Sequence, residues 1–266
     1  VLRYLRRYDV DYVDVRDVFR DADMKAKDIF YHTDHHWTVP SAFYATGKII
    51  DHLNQKFEAN LDPDGYYRDL NNYTIETYSH IYMGSQGRDA GLIYSRRLDD
   101  YSFLYPKFAT NYHYYSRYKG GKEANKDGPI DRTLIDRKYL DYADPYDREM
   151  NNSYLQGVVR FDQIDNKLNP NGPTELFIRD SYSSPVATFL SPMFSRIELL
   201  WSLHFSPTGD GSIQKMLEKK HFDYVFVALA LDNFTNEGTP FYTDDPKAAE
   251  NGDADVAAQG QDPAAH

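Results

Sequence analysis

Between Glu175 and Leu229, apolar runs alternate with helix-length segments, and this alternation limits the fold more than any other feature of the chain. Glu175-Leu176-Phe177-Ile178, Arg196-Ile197-Glu198-Leu199-Leu200-Trp201 and Asp223-Tyr224-Val225-Phe226-Val227-Ala228-Leu229 each read as buried-type strands. Pro185 to Phe194 and Gly211 to Lys220 have the length and spacing of helices. Strand, helix, strand, helix, strand demands right-handed crossovers and a parallel sheet covered on both faces. Upstream, Val10 to Val15 alternates apolar and acidic residues and predicts a further strand, followed by a helical turn from Arg16 to Arg20. Thr38 is a suitable N-cap with Pro40 in the first turn. From there Ala42, Phe43, Ala45, Ile49, Ile50, Leu53 and Phe57 recur at helical spacing, which predicts a helix of about five turns. This helix and the first strand are expected to join the sheet.

Residues 60 to 156 have a different texture. Tyr is frequent, Gly and Asp break the runs, and the strand signals are short: Tyr73 to Tyr78, Gly91 to Tyr94, Tyr112 to Tyr115. An insertion of irregular β-hairpins and loops is the expectation. The 24 Tyr and 15 Phe make the chain aromatic, although the hydrophobic share is 41%. Tyrosine offers apolar area with a polar tip, so it suits a sugar-facing surface as well as a core, and the core use is the commoner one. Residues 1–243 are read as one domain, and the Ala, Asp, Gly and Gln content from Asp244 onward as a disordered tail.

A formal net charge of −11 argues against nucleic acid or an anionic membrane surface as partner. The absence of cysteine excludes disulfides, thiolate catalysis and Cys-ligated zinc, but leaves the compartment open. No run approaches the roughly 20 apolar residues of a membrane span. The first residues from Val1 already read as the end of a helix leading to a strand, as expected of a fragment or processed product.

Two stretches carry chemistry. Tyr31-His32-Thr33-Asp34-His35-His36-Trp37-Thr38 gathers an acid, imidazoles and an indole in a loop fixed by a helix N-terminus. Ile178-Arg179-Asp180-Ser181-Tyr182 lies at the carboxyl end of a predicted strand, where sites gather in parallel α/β sheets. A serine hydroxyl needs a base to accept its proton, and that base needs a third group to fix its tautomer. Asp34 and His36 are spaced to serve as orienter and base for Ser181. Taken alone, Ser181 would more often be a helix-capping serine, by about two to one, and the histidines surface or metal-binding residues. Gly84-Ser85-Gln86-Gly87-Arg88-Asp89-Ala90-Gly91 could turn backbone N–H groups towards an anion, although a plain turn is the simpler reading.

The Asp34-His35-His36-Trp37-Thr38 run, the Gly84-Ser85-Gln86-Gly87-Arg88 loop, the Leu98-Asp99-Asp100-Tyr101-Ser102-Phe103 segment and the Arg179-Asp180-Ser181-Tyr182 turn occur in the order seen in bacterial DHHW-family proteins. The chain thereby resembles the SGNH-hydrolase-like domain of alginate O-acetyltransferases over about residues 1 to 235, without that family's N-terminal portion. The resemblance implies a three-layer, flavodoxin-like α/β fold and an extracytoplasmic enzyme moving or removing acetyl groups on a polysaccharide or other acylated glycan. It further implies a membrane acyl-donor protein as partner and anchoring through a preceding N-terminal part. Carried over by position, Ser181 is nucleophile, His36 general base and Asp34 orienter; His35 takes no catalytic role. Oxyanion and substrate contacts are assigned to the Ser181 N–H, Arg179, Gly84, Ser85, Arg88, Tyr182 and Trp37, with Asn233 a possible stand-in for the family asparagine. No metal or cofactor enters this reading.

Two rivals remain. Asp34-His35-His36 shares its letters with metal-dependent DHH-type phosphoesterases, but that chemistry needs further Asp and His ligands for two divalent ions. Asp21-Ala22-Asp23 lacks a preceding apolar strand. The other rival is a non-catalytic carbohydrate-binding or scaffold protein that uses the Tyr-rich stretch as a platform.

Overall fold

In the computed structural model, residues 2–118, 121–157, 159–201 and 213–230 are described. Short helices α1 (Leu2–Arg7), α2 (Arg16–Asp21) and α3 (Ala26–Ile29) lead to the long α4 (Val39–Phe57). Strands β1 (Tyr73–Tyr82) and β2 (Asp99–Pro106) form an antiparallel ribbon, interrupted by α5 (Ser85–Ala90) and α6 (Leu92–Ser95). Then come β3 (Tyr112–Arg117), β4 (Glu123–Gly128), α7 (Ile130–Thr133) and β5 (Phe161–Asn166). The chain continues through β6 (Thr174–Arg179), α8 (Ser183–Leu190), β7 (Arg196–Trp201), α9 (Ile213–Lys219) and β8 (Tyr224–Ala228).

Among the described residues the main sheet has six strands in the order β4-β3-β5-β7-β6-β8. Strands β7, β6 and β8 are mutually parallel, whereas β4, β3, β5 and β7 pair antiparallel. The expected all-parallel sheet is thus corrected to a mixed one. The reason is visible in the burial of β3 and β5, where buried residues alternate with half-buried or exposed ones, as an antiparallel strand with one solvated face requires. Both β3 and β4 come from residues 60–156, so part of that stretch extends the main sheet.

α4 starts where the sequence predicts. The Thr38 hydroxyl accepts the Ser41 N–H at 3.4 Å, Pro40 occupies the first turn, and the helix ends at Glu58 in a left-handed conformation. Its buried face (Val39, Ala42, Phe43, Thr46, Ile50, Leu53) packs against α8, with the Phe43 and Phe189 rings 5.3 Å apart. Burying such a side chain contributes about 1.5–3 kcal/mol. Together with Phe103, Tyr114 and Phe177 these residues form the principal core on one face of the sheet. On the opposite face, Ile213 and Met216 of α9 cover Leu176, Ile178 and Leu200.

Two predicted strands fail. Val10 to Val15 is irregular, with no partner strand among the described residues. Asp11 is drawn instead to His52 and Lys56 of α4, and Asp14 to Arg16. Gly91 to Tyr94 is replaced by α6, because Gly91, at φ +82°, breaks the chain direction and starts a new helical turn. Asn233 and the tail from Asp244 lie outside the described residues.

Candidate active site

The loop before α4 is closed by a bridge between Phe30 and Trp37 and by the Tyr31 N–H donating to the His36 carbonyl at 3.2 Å. Asp99, at the start of β2, pins it from below. Its carboxylate accepts the His32 N–H at 3.0 Å, and the Thr33 N–H and hydroxyl at 2.7 Å each. The start of α5 packs on the same loop, with the Gly84 N–H on Thr33 Oγ1 at 2.9 Å and the Gly87 N–H on the Thr33 carbonyl at 2.8 Å. These contacts leave Asp34 and His36 buried and His35 exposed.

The turn carrying Ser181 is anchored from the other side. At the end of β6, Arg179 is fully buried, paired with Asp162 of β5, and donates to Ser184 Oγ at 2.9 Å. Asp180 accepts the Tyr182 N–H at 3.0 Å and also the Ala230 N–H beyond β8. The segment between β6 and α8 is therefore fixed by groups from β5, α8 and the end of β8. Ser181 does not cap α8: the N-cap position is Tyr182, which makes no side-chain capping bond.

These two supports bring the distant stretches together. His36 Nε2 lies 2.6 Å from Ser181 Oγ, and His36 Nδ1 lies 2.5 Å from Asp34 Oδ1. The Asp34 carboxylate also accepts the His36 N–H at 2.8 Å, the Ser85 N–H at 2.8 Å and the Asn151 amide at 3.1 Å. Burial alone would push the Asp34 carboxyl up. The hydrogen bonds and charge of His36, with the Ser85 N–H, outweigh it and hold Asp34 well below the usual carboxylate range. An ionised Asp34 favours the proton on His36 Nδ1, which leaves the Nε2 lone pair facing the serine hydroxyl. The arrangement can therefore move a proton from Ser181 Oγ while stabilising the imidazolium that forms.

A small cavity of about 10 Å³ opens beside the serine, lined by Tyr31, His36, Trp37, Val39, Tyr101, Asn151, Tyr154, Ser181, Tyr182 and Pro185. That is room for little more than one water or a methyl group. Burial raises the phenols of Tyr31 and Tyr101 well above their ordinary range, so this wall is neutral. Trp37 Nε1 donates to the Tyr182 carbonyl at 3.0 Å, and the Tyr182 hydroxyl to the His35 carbonyl at 2.5 Å, tying loop to turn across the site.

The other residues singled out from the sequence are spent differently. Arg179 is walled into its ion pair and does not face the cavity, since a strand-end arginine with a buried Asp partner packs inwards. The Gly84 and Ser85 N–H groups are committed to Thr33 and Asp34, so they hold the acid rather than an oxyanion. Arg88 pairs with Glu149. Trp37 and Tyr182 do line the cavity. Asn151, Tyr82, Asp99 and Asp162 were missed as site residues. Asp99 lies in one of the segments that carry the family resemblance, whereas Asn151, in Met150-Asn151-Asn152-Ser153, has no local signal.

Asp34, His35 and His36 place one potential metal-ligand atom each within 4.8 Å of one another. Both ring nitrogens of His36 and both carboxylate oxygens of Asp34 already have protein partners, so a cation there would have to displace the relay. Asp21 and Asp23 are exposed and stand outside this cluster.

Residues 1–73 match the family described as SGNH hydrolase-like domain, acetyltransferase AlgX. No curated protein sequence matches the chain. Among solved structures, a DHHW family protein from Eubacterium siraeum is 16% identical, with a TM-score of 0.54 over 82% of this chain and 63% of that one. Bacillus cereus PatB1 with a sulfonyl adduct is also 16% identical, with a TM-score of 0.62 over 82% of this chain and 66% of that one. The chain spans just under two thirds of the length of these two structures. In its first 73 residues by sequence, and across most of its length by fold, the chain resembles the SGNH-hydrolase-like and DHHW-family proteins.

Proposed function

We propose that the chain is an SGNH-type acyl-transfer enzyme, an O-acetyltransferase or acetylesterase acting on an extracytoplasmic polysaccharide, with Ser181 as nucleophile, His36 as general base and Asp34 as orienter. The observation that carries the reading is the unbroken chain of hydrogen bonds from Asp34 through His36 to the Ser181 hydroxyl. Ser181 Oγ attacks the ester carbonyl carbon as its proton passes to His36 Nε2. The tetrahedral intermediate collapses by breaking the bond to the leaving alcohol, which takes that proton from His36 and departs. A sugar hydroxyl or water then gives a proton to His36 and attacks the acyl-serine carbonyl. The bond to Ser181 Oγ breaks, and the proton returns to it.

With Gly84 and Ser85 occupied elsewhere, the Ser181 N–H is the oxyanion donor we assign; loss of one such donor typically costs about 100- to 1000-fold. The small neutral cavity suits an acetyl methyl group better than a longer acyl chain. The match to an acetyltransferase family supports acetyl as the group moved and an acylated glycan as substrate. A membrane acyl-donor protein and an extracytoplasmic location complete the proposal. No helix among the described residues is long and apolar enough to cross a membrane.

The test is hydrolysis of a chromogenic acetyl ester by the wild type and by Ser181→Ala. Wild-type turnover lost in the variant supports the enzyme. Equal silence of both, with polysaccharide still bound, assigns the chain to a binding role instead. Wild-type activity that depends on added divalent metal and survives Ser181→Ala would return the site to metal chemistry.

A further inference from the structure

Asn151 reaches the site from a short 3-10 turn, Met150–Ser153, more than a hundred residues along the chain from Asp34 and His36. Its amide nitrogen lies 3.1 Å from Asp34 Oδ1, 2.6 Å from the Tyr82 hydroxyl oxygen and 2.8 Å from His36 Nδ1. An amide nitrogen carries two hydrogens and accepts none. Directed at Asp34 Oδ1 and the Tyr82 oxygen, both are used, and the third contact is a packing contact against a protonated Nδ1. Were His36 to carry its proton on Nε2 instead, the bare Nδ1 would compete for one of them. Asp34 Oδ1 is the same oxygen that takes the His36 ring proton and backbone N–H. Asn151 thus sets both the direction of that oxygen and the share of its charge left for the imidazole.

We infer that Asn151 is a positioning residue: it holds Asp34 Oδ1 in line with His36 and shares the negative charge of that oxygen with the imidazole. This rests on the acyl-transfer reading above. The groups facing His36 are Asp34 and His35 from its own loop, with the His35 ring 4.0 Å away, Tyr182 and Ser181 from the turn, and Asn151 with Tyr82 behind it. Tyr82 is buried and its phenol is raised well above its ordinary range by burial and by Asp34, so it stays neutral. Asn151 therefore adds a dipole, and no charge, to the acid's environment. Removing an N–H donor from a carboxylate leaves more negative potential on its remaining partner. The imidazolium is then better stabilised, so the acid limb of the rate profile moves to higher pH even as alignment is lost.

The test is the rate at which phenylmethylsulfonyl fluoride sulfonylates Ser181, read by intact mass against pH, alongside thermal melting. The proteins are wild type, Ser181→Ala, Asn151→Ala and Asn151→Asp. Asn151→Ala should label about tenfold more slowly or worse, the loss expected for a hydrogen bond to a charged group. Its acid limb should move up in pH. Asn151→Asp, equal in size but placing a second carboxylate against Asp34, should move the limb further, by about one unit or more. If Ser181 is labelled and both Asn151 variants match wild type, the inference falls while the acyl-transfer reading stands. Rates that fall only as the melting temperature falls, with the limb unmoved, would likewise reduce Asn151 to a structural residue. If wild-type Ser181 is not labelled at all, the acyl-transfer reading fails and the role of Asn151 fails with it.

Discussion

Gly84→Ala should disable the site without replacing any of the proposed catalytic residues, by driving a methyl group into Asp34. Gly84 has φ −74° and ψ 177°, ordinary extended backbone, so conformation does not require glycine there. Space does. An added Cβ would sit 2.6 Å from Asp34 Cγ and closer still to its Cβ and Oδ2. That is about an ångström inside the roughly 3.5–4.0 Å at which carbon atoms attract. Neither side can give way cheaply. The Gly84 N–H is held on Thr33 Oγ1, and Asp34 is held by the N–H groups of His36 and Ser85. A shift of Asp34 by about an ångström breaks its alignment with His36, an error worth about 100-fold in rate, and complete loss of the orienter is worth about 10,000-fold. Overpacking should cost only about 1–3 kcal/mol of stability, so the protein stays folded. The assay is kcat/KM on a chromogenic acetyl ester with urea unfolding in parallel, and the control is Ser85→Ala. That change keeps the N–H on Asp34 and removes only a hydroxyl 3.1 Å from His35 Nδ1. A folded Gly84→Ala protein within threefold of wild type would refute the argument.

Other perturbations test the scaffold. Arg179→Met leaves Asp162 buried and unpaired, which should cost about 3–5 kcal/mol in urea unfolding, most of it recovered by adding Asp162→Leu. Burial raises the Asp162 carboxyl to about 6 against the pull of Arg179 and Tyr114, so the loss should be greatest above about pH 6 and shrink below it. An Arg179→Met protein as stable as wild type at neutral pH would show that the pair is dispensable. Glu175 is buried in β6 with neither carboxylate oxygen hydrogen-bonded, and burial raises it well above the glutamate range. The folded state then binds the extra proton, so stability should fall as pH rises above about 4.3, by up to about 1.4 kcal/mol per unit until the folded group ionises. Glu175→Gln should flatten that slope in urea unfolding at several pH values; an unchanged slope sinks the reading.

The parts of the fold legible in the sequence are those where one periodicity decides. β6 and β7 show as apolar runs buried on both faces, and α4 shows through its cap and its buried stripe. In the antiparallel half the Tyr112 to Tyr115 signal of β3 is legible, whereas β4 and β5 are hidden because they are polar in composition. β4 reads Glu-Ala-Asn-Lys-Asp-Gly, and β5 buries Asp162, which is tolerable only beside an arginine from another strand. The alternation of Val10 to Val15 misled for the converse reason: a period of two needs a neighbouring strand to bond to, and its acids found helix partners instead. At the site, Asp34, His36, Ser181, Trp37 and Tyr182 stand out by residue type and place in the sequence. Asn151 does not, because nothing local distinguishes an asparagine that bonds a distant acid from one that closes a turn.

The hydrogen bonds around the relay divide its support between two unequal bodies. Ser181 is aimed by the sheet, through the buried Arg179–Asp162 pair and the clasp of Asp180 on the end of β8. Asp34 and His36 are aimed by the stretch from 60 to 156, which supplies Asp99, the Gly84–Ser85 backbone and Asn151. A stretch that from sequence reads as a decorated loop region thus contributes partners of the acid, and two strands of the main sheet as well. Shortening it to trim apparent excess would remove the acid's support before it disturbed the nucleophile. The position of Ser181 should therefore be more robust to change than the alignment of His36, and variants with an intact sheet and a misaligned imidazole should be the commoner failures.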